Sequence, residues 1–219
     1  MKKNLSVYAI AYLVLLLIAC GLLAAYPKLE LHLLLNSCHT SIQDTFFRHY
    51  SVLAEWPLYI LALLPILWKQ PRLTLFYALC ELSAGAFLQI LKHMFSSERP
   101  MRVFENMTDV ALPLVQGVSL HHGNSFPSGH ASTFFVFFTC CALLLAYRHQ
   151  QESSHTALGN VLFHLSLLAL LALAALGAYS RVYLSQHFLA DVFVGSIIGF
   201  TTPLLFYHFG RKKILKLDD

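Results

Sequence analysis

The sequence predicts an all-α membrane protein, a bundle of about six transmembrane helices in a single domain spanning residues 1–219. Three observations carry that expectation. Of the 219 residues, 57 % are hydrophobic and only 12 % are charged, about half the charge of an average soluble domain. Mean hydropathy is +0.61. The apolar residues gather in runs of about 20, long enough to cross ~30 Å of hydrocarbon as helices, with short polar stretches between them. The formal charge of +4 is modest, and no long basic run points to nucleic acid. Of the five cysteines, Cys20, Cys80, Cys140 and Cys141 fall inside apolar runs and read as small packing residues; only Cys38 lies in a loop. Their spacing fits neither a metal site nor a disulfide framework.

Taken in order, the first span covers 5–25 behind Lys2 and Lys3. Leu17-Ile18-Ala19-Cys20-Gly21 also fits a bacterial lipoprotein cleavage pattern, but the apolar run continues to Ala25 and is long enough to span. In 27–50, leucines alternate with Lys28, Glu30 and His32, and Phe46-Phe47 adjoin Arg48-His49-Tyr50, which reads as a segment lying in the membrane interface. The second span, 52–68, keeps Pro57 and Pro65 near its ends, where a break costs least. The third, 73–92, contains Glu81, expensive in hydrocarbon. At ~100° per residue Glu81, Gly85 and Lys92 share a face, so Glu81 is expected to form a buried hydrogen bond with a neighbouring span.

Residues 93–126 form the longest polar stretch, expected to fold over a site and help select its ligand. Within it, His121-His122 reads as solvated or substrate-contacting rather than as a metal pair. The fourth span covers 131–147. The fifth, 161–180, is rich in Ala with Gly177, and the sixth, 187–207, carries the small-residue stripe Gly195-x3-Gly199, suited to another span or another copy of the chain. Six spans put both termini on one side. With the termini inside, Lys2, Lys3, Lys69, Arg72, Arg148, Arg211, Lys212, Lys213 and Lys216 lie inside, whereas Lys28, Arg48, Arg102, Lys92, Arg99 and Arg181 lie outside. The positive-inside rule therefore puts the termini in the cytoplasm.

Polar chemistry concentrates between Arg99 and Asp191. Pro127-Ser128-Gly129-His130 opens the fourth apolar run, and a turn opening a helix leaves free backbone N–H groups and a partial positive charge suited to an anion. Upstream stand Lys92, six residues, then Arg99-Pro100. Downstream stand Ser180-Arg181, five residues, His187, three residues and Asp191. Three cations, two histidines and an acid at the ends of apolar runs have the composition that a phosphate ester or anhydride site needs. Lys and Arg neutralise phosphoryl oxygens, one imidazole attacks phosphorus, and the other protonates the leaving oxygen.

These three segments, complete and in order, resemble the signature motifs of the type 2 phosphatidic acid phosphatase superfamily. The resemblance covers Lys92 to Asp191, roughly half the chain. It implies His187 as nucleophile, Asp191 holding its imidazole, and His130 as proton donor to the leaving group. Lys92, Arg99, Ser128, Gly129 and Arg181 would bind phosphate, with no metal and no cofactor. Asp191 follows His187 at i+4, which on a helix would place both on one face. The implied setting is the bacterial inner membrane, with the site on the periplasmic face and a phosphorylated membrane lipid as substrate. Bacterial relatives of this kind act on lipid A, undecaprenyl pyrophosphate and phosphatidylglycerophosphate. The segment around Glu55-Trp56-Pro57-Leu58-Tyr59 most resembles the lipid A 4′-phosphatases. Vanadium haloperoxidases share the motifs but are soluble, and a transporter or silent scaffold would not need every motif position filled.

Overall fold

The structure, a computed structural model, describes residues 5–55, 70–105, 107, 112–119, 121–152 and 156–215. Among these residues the fold is all helical: α1 (Ser6–Ala25), α2 (Lys28–Leu35), α3 (Ser41–Val52), α4 (Pro71–Met94), α5 (Pro100–Glu105), α6 (Gly129–Gln151), α7 (Ala157–Tyr183) and α8 (Leu189–Gly210), with a π-helical turn at Arg211–Leu215. Five of them (α1, α4, α6, α7 and α8) are long and apolar enough to cross a membrane. The expected second span, 52–68, lies mostly outside the described residues.

Helix α6 is the centre of the bundle, packed along both α7 and α8 and flanked by α4. Small residues permit this closeness. A Cβ placed on Gly195 would come well inside 3.0 Å of the Ser128 carbonyl oxygen, and one on Gly199 equally close to the Ser132 carbonyl oxygen. The glycine stripe of α8 therefore serves α6 of the same chain, not a second copy. Gly177 of α7 likewise leaves room for the Phe134 ring.

Several polar groups inside the bundle are paired between helices, which a dry surrounding favours. Tyr8 and Tyr12 turn the buried face of α1 inward and hydrogen-bond Thr139 of α6 and Ser196 of α8, each at 3.2 Å. The Tyr12 ring stacks on Phe200 with centroids 3.8 Å apart. The opposite face of α1, with Ile10, Leu13 and Leu17, is exposed and suited to lipid. Glu81 of α4 accepts a hydrogen bond from the Thr133 hydroxyl of α6, the inter-span contact expected of it.

The structure refines the sequence reading at several elements. Helix α6 runs past Tyr147 because His149 is held: it bonds Asn160 at 3.1 Å, and its ring stacks on Phe163 at 4.0 Å. The 93–126 stretch contains α5, and the Ser125 N–H ties its two ends together by donating to the Ser97 carbonyl at 2.8 Å. Helix α8 begins at Leu189, so His187 precedes it. The 27–50 stretch folds as α2 and α3. Thr40 caps α3 by accepting the Gln43 N–H at 3.2 Å, while Phe47 and Ser51 face inward and Ile42, Phe46 and Leu53 stay exposed.

Candidate active site

The three motif segments meet at one end of the bundle. The C-terminal turn of α4 brings Lys92, and the loop before α5 brings Arg99. Ser128, Gly129 and His130 come from the N-terminus of α6, Arg181 from the last turn of α7, and His187 from the turn between α7 and α8. Asp191 sits in the first turn of α8. The turn at His187 is fixed by backbone bonds: the Gln186 and His187 N–H groups both donate to the Arg181 carbonyl at 3.0 Å. Ser185 takes up a positive φ of 53° to allow it.

His187 and Asp191 are each 2 % exposed. The separation between His187 Nδ1 and Asp191 Oδ2 is 3.5 Å, long for a direct hydrogen bond. The relation between them is not that of two residues on one helix face. His187 lies outside α8, and Asp191 turns back to accept the Phe188 N–H at 3.0 Å. Between the two stands Ser125, fully buried. Its hydroxyl is 2.5 Å from Asp191 Oδ2 and 3.2 Å from His187 Nδ1. On the other side of the ring, Arg99 Nη1 lies 3.5 Å from His187 Nε2. Burial pushes the His187 pKa down to about 4, with Arg99 and Arg181 acting in the same direction and Asp191 opposing them. The imidazole is therefore neutral at pH 7.

Arg99 is held by two backbone carbonyls: Nε donates to Gly123 at 3.1 Å and Nη1 to Gln186 at 2.9 Å. Arg181 is 5 % exposed; its Nη1 donates to the Ser51 hydroxyl, and its Nε is buried without a hydrogen-bond partner among the described residues. His130 lies within electrostatic reach of Arg181, His187 and Arg99, and its Nε2 is likewise buried and unpartnered among those residues. Lys92 is half-buried and feels the charges of both Arg99 and Asp191. Ser128 is fully buried. Its N–H donates to the Asp191 carbonyl at 3.0 Å, and its Oγ accepts the Ala131 N–H at 3.4 Å, which leaves the hydroxyl proton free to donate elsewhere. Lys92, Arg99, Ser128, His130, Arg181, His187 and Asp191 are thus linked to one another by direct bonds or electrostatic reach.

Several contributors escaped the sequence reading, and His121, already read there as solvated or substrate-contacting, joins them. Asn124 makes four hydrogen bonds. Its Oδ1 accepts the Ser97 and Phe126 N–H groups at 3.0 and 3.2 Å, and its Nδ2 donates to the Lys92 and Phe95 carbonyls at 2.7 and 2.5 Å. His121 feels Arg99 and Arg181; burial first, then those charges, hold its imidazole below the ordinary range. His32 on α2 is buried against Phe188 and lies 3.3 Å from the Ser185 hydroxyl, and burial lowers its pKa to about 4. Ser51 and Asp44 anchor α3 beside the site: Tyr183 donates to Asp44 at 2.6 Å and holds that carboxyl below the usual carboxylate range. Among the described residues, no group of three or more His, Cys, Asp or Glu side chains is arranged to hold a metal ion.

Comparison with known proteins identifies the family and the fold. The family model described as PAP2 superfamily matches residues 73–215. The human protein dolichyldiphosphatase 1 is 33 % identical over 92 residues, 42 % of this chain; the match spans only 38 % of that protein's length. Two crystal structures share the fold. LpxE of Aquifex aeolicus superposes with a TM-score of 0.60 at 22 % identity, covering 85 % of this chain and 99 % of its own. The first transmembrane PAP2 type phosphatidylglycerolphosphate phosphatase from Bacillus subtilis superposes with a TM-score of 0.64 at 19 % identity, covering 97 % and 98 %.

Proposed function

We propose that this chain, which belongs to the PAP2 superfamily, is a membrane lipid phosphatase that works without a metal through a phosphohistidine intermediate. The observation that carries the proposal is the buried, neutral His187, which has Asp191 behind its Nδ1 and Arg99 in front of its Nε2. A neutral imidazole has the lone pair that a nucleophile needs, and the cations facing it suit the charge that moves onto the phosphoryl oxygens.

In this reading the Nε2 lone pair forms a bond to phosphorus as the bond from phosphorus to the lipid oxygen breaks. His130, protonated when substrate binds, gives its proton to that leaving oxygen. It then takes one from the water that attacks the phosphohistidine, and inorganic phosphate leaves. Asp191 offsets the positive charge that develops on His187, as the third member of a triad does. Lys92, Arg99, Arg181, the Ser128 hydroxyl and the Gly129 N–H hold the phosphoryl oxygens. The unpartnered Nε of Arg181 and the free N–H groups that open α6 favour that placement.

The substrate reading is a phosphorylated lipid reached sideways from the bilayer, with the 4′-phosphate of lipid A first, on the strength of the segment beginning at Glu55. The second reading is undecaprenyl pyrophosphate. It is favoured by the 33 % identity to dolichyldiphosphatase 1, whose name denotes a long-chain isoprenoid diphosphate; phosphatidylglycerophosphate is a third substrate to test. The charge distribution supports cytoplasmic termini and a site on the periplasmic face of a bacterial inner membrane. Brief exposure of the purified protein to substrate labelled at phosphorus, followed by quenching in alkali, tests the intermediate. Label should be retained by the wild-type protein and absent from His187→Ala. Equal label in both would reject His187 as the nucleophile.

A further inference from the structure

We propose that Ser125 is a positioning residue of this site: its hydroxyl, inserted between His187 and Asp191, fixes the imidazole tautomer that presents a free Nε2 lone pair. The inference rests on the phosphohistidine reading for its consequence but on hydrogen-bond chemistry for its content. An ionised carboxylate accepts only, so across 2.5 Å the Ser125 hydroxyl must donate to Asp191 Oδ2. That uses its single proton. Toward His187 Nδ1, 3.2 Å away, the Ser125 oxygen offers only lone pairs, so the proton between them belongs to Nδ1. Nε2 is then left unprotonated.

A second, longer contact points the same way. Arg99 Nη1 lies 3.5 Å from Nε2, too far to dictate the tautomer alone, but a guanidinium N–H only donates, so the group facing Nε2 suits an unprotonated nitrogen. The direct separation of 3.5 Å from Nδ1 to Asp191 is too long for Asp191 to fix the tautomer by itself. Ser125 bridges that gap, and it is fully buried, so bulk water does not compete for either bond. Its own backbone is fixed by the bond from its N–H to the Ser97 carbonyl, and Asn124 ties the preceding position to Lys92 and Phe95. The loop before the Pro127-Ser128-Gly129-His130 segment therefore sets the chemistry of a histidine carried more than sixty residues later in the chain.

The test combines a spectroscopic and a kinetic readout on the full-length protein in detergent, labelled with ¹⁵N-histidine. The His187 resonances are assigned by their loss in His187→Ala. We expect the wild-type ring to show a protonated shift at Nδ1 and an unprotonated shift at Nε2 at neutral pH. Ser125→Ala should give a mixture of the two tautomers, and kcat should fall on the order of ten- to a hundred-fold with KM little changed, the range seen when an outer-shell hydrogen-bond partner is removed. Ser125→Thr, which keeps the hydroxyl, should restore the wild-type tautomer and most of kcat. Ser125→Cys, close in size and a weak donor, gives a graded version of the same readout should alanine loosen the fold. A wild-type ring protonated at Nε2, or a Ser125→Ala protein with unchanged tautomer and unchanged kcat, would overturn the proposal. If the tautomer responds to Ser125 in a protein that releases phosphate from no lipid, the positioning stands and the phosphatase reading falls.

Discussion

The carbonyl oxygen of Ser128 packs against Cα of Gly195, closer than any side chain at that position would allow. In the same place the Ser128 N–H donates to the Asp191 carbonyl at 3.0 Å. The turn that opens α6 and the first turns of α8 are thus one rigid unit, and the distance between His130 and His187 is set by helix packing. Gly195→Ala should force the two helices apart. Overpacking of this kind costs about 1–3 kcal/mol, and here it also moves one half of the site relative to the other. We expect a lower melting temperature in detergent together with at least a ten-fold loss in kcat. Gly199→Ala, one turn deeper against Ser132, should show the same loss of stability with a smaller loss of rate.

Asn124 joins the end of α4 to the loop that carries Ser125 and Pro127. Asn124→Ala removes four hydrogen bonds at once and leaves the Lys92 and Phe95 carbonyls without it. At about 1 kcal/mol for each bond, the expected cost is about 2–4 kcal/mol. Thermal unfolding followed by circular dichroism measures it. Since Lys92 and Ser125 lose their common anchor, kcat/KM should fall by more than the loss of folded protein explains.

Arg99→Lys tests whether the fork or only the charge matters. Lysine would keep a positive charge but could not reach the Gly123 and Gln186 carbonyls and the His187 ring together. We expect a loss on the order of ten- to a hundred-fold in kcat/KM for phosphate release, most of it in kcat, because the guanidinium also holds the turn that carries His187.

The depressed pKa of His187 determines the acid side of the pH profile. The ring titrates near 4 in the folded protein and near 6.5 unfolded, so the unfolded chain binds more protons between these values. Stability is fully present above pH 6.5 and is lost as pH falls toward 4, on the order of 3 kcal/mol for this group. His32, also lowered to about 4, adds a loss of the same sign over the same window. The rate should follow. The acid limb of kcat/KM that reports the nucleophile should lie near pH 4–5, well below the value for a free imidazole. An acid limb at pH 6.5 that disappears in no other histidine variant would contradict this.

The sequence disclosed what it encodes locally. Runs of leucine and alanine identify the spans, and Lys92, Arg99, Ser128, His130, Arg181, His187 and Asp191 stand in ordered spacings that point to phosphate chemistry. What it concealed is set by partners far along the chain. Ser125 stands three residues before Ser128 with nothing local to distinguish it, and its role exists only because α8 brings Asp191 against it. Ser51 reads as one polar residue of an interfacial helix until Arg181 is found to donate to it. The i+4 spacing of His187 and Asp191 suggested one helix face. The chain instead caps α8 between them, where Asp191 accepts the Phe188 N–H, and Ser125 bridges the gap that results.

The measurement that bears most directly on the central claim is phosphate release by the purified protein in excess EDTA. Lipid A, undecaprenyl pyrophosphate and phosphatidylglycerophosphate would be offered in parallel, with His187→Ala as control. We expect release from at least one of the three that survives EDTA and is abolished in the variant, with the preferred lipid identifying the substrate. Release that EDTA abolishes, or that persists in His187→Ala, would contradict a metal-free phosphohistidine mechanism at this site.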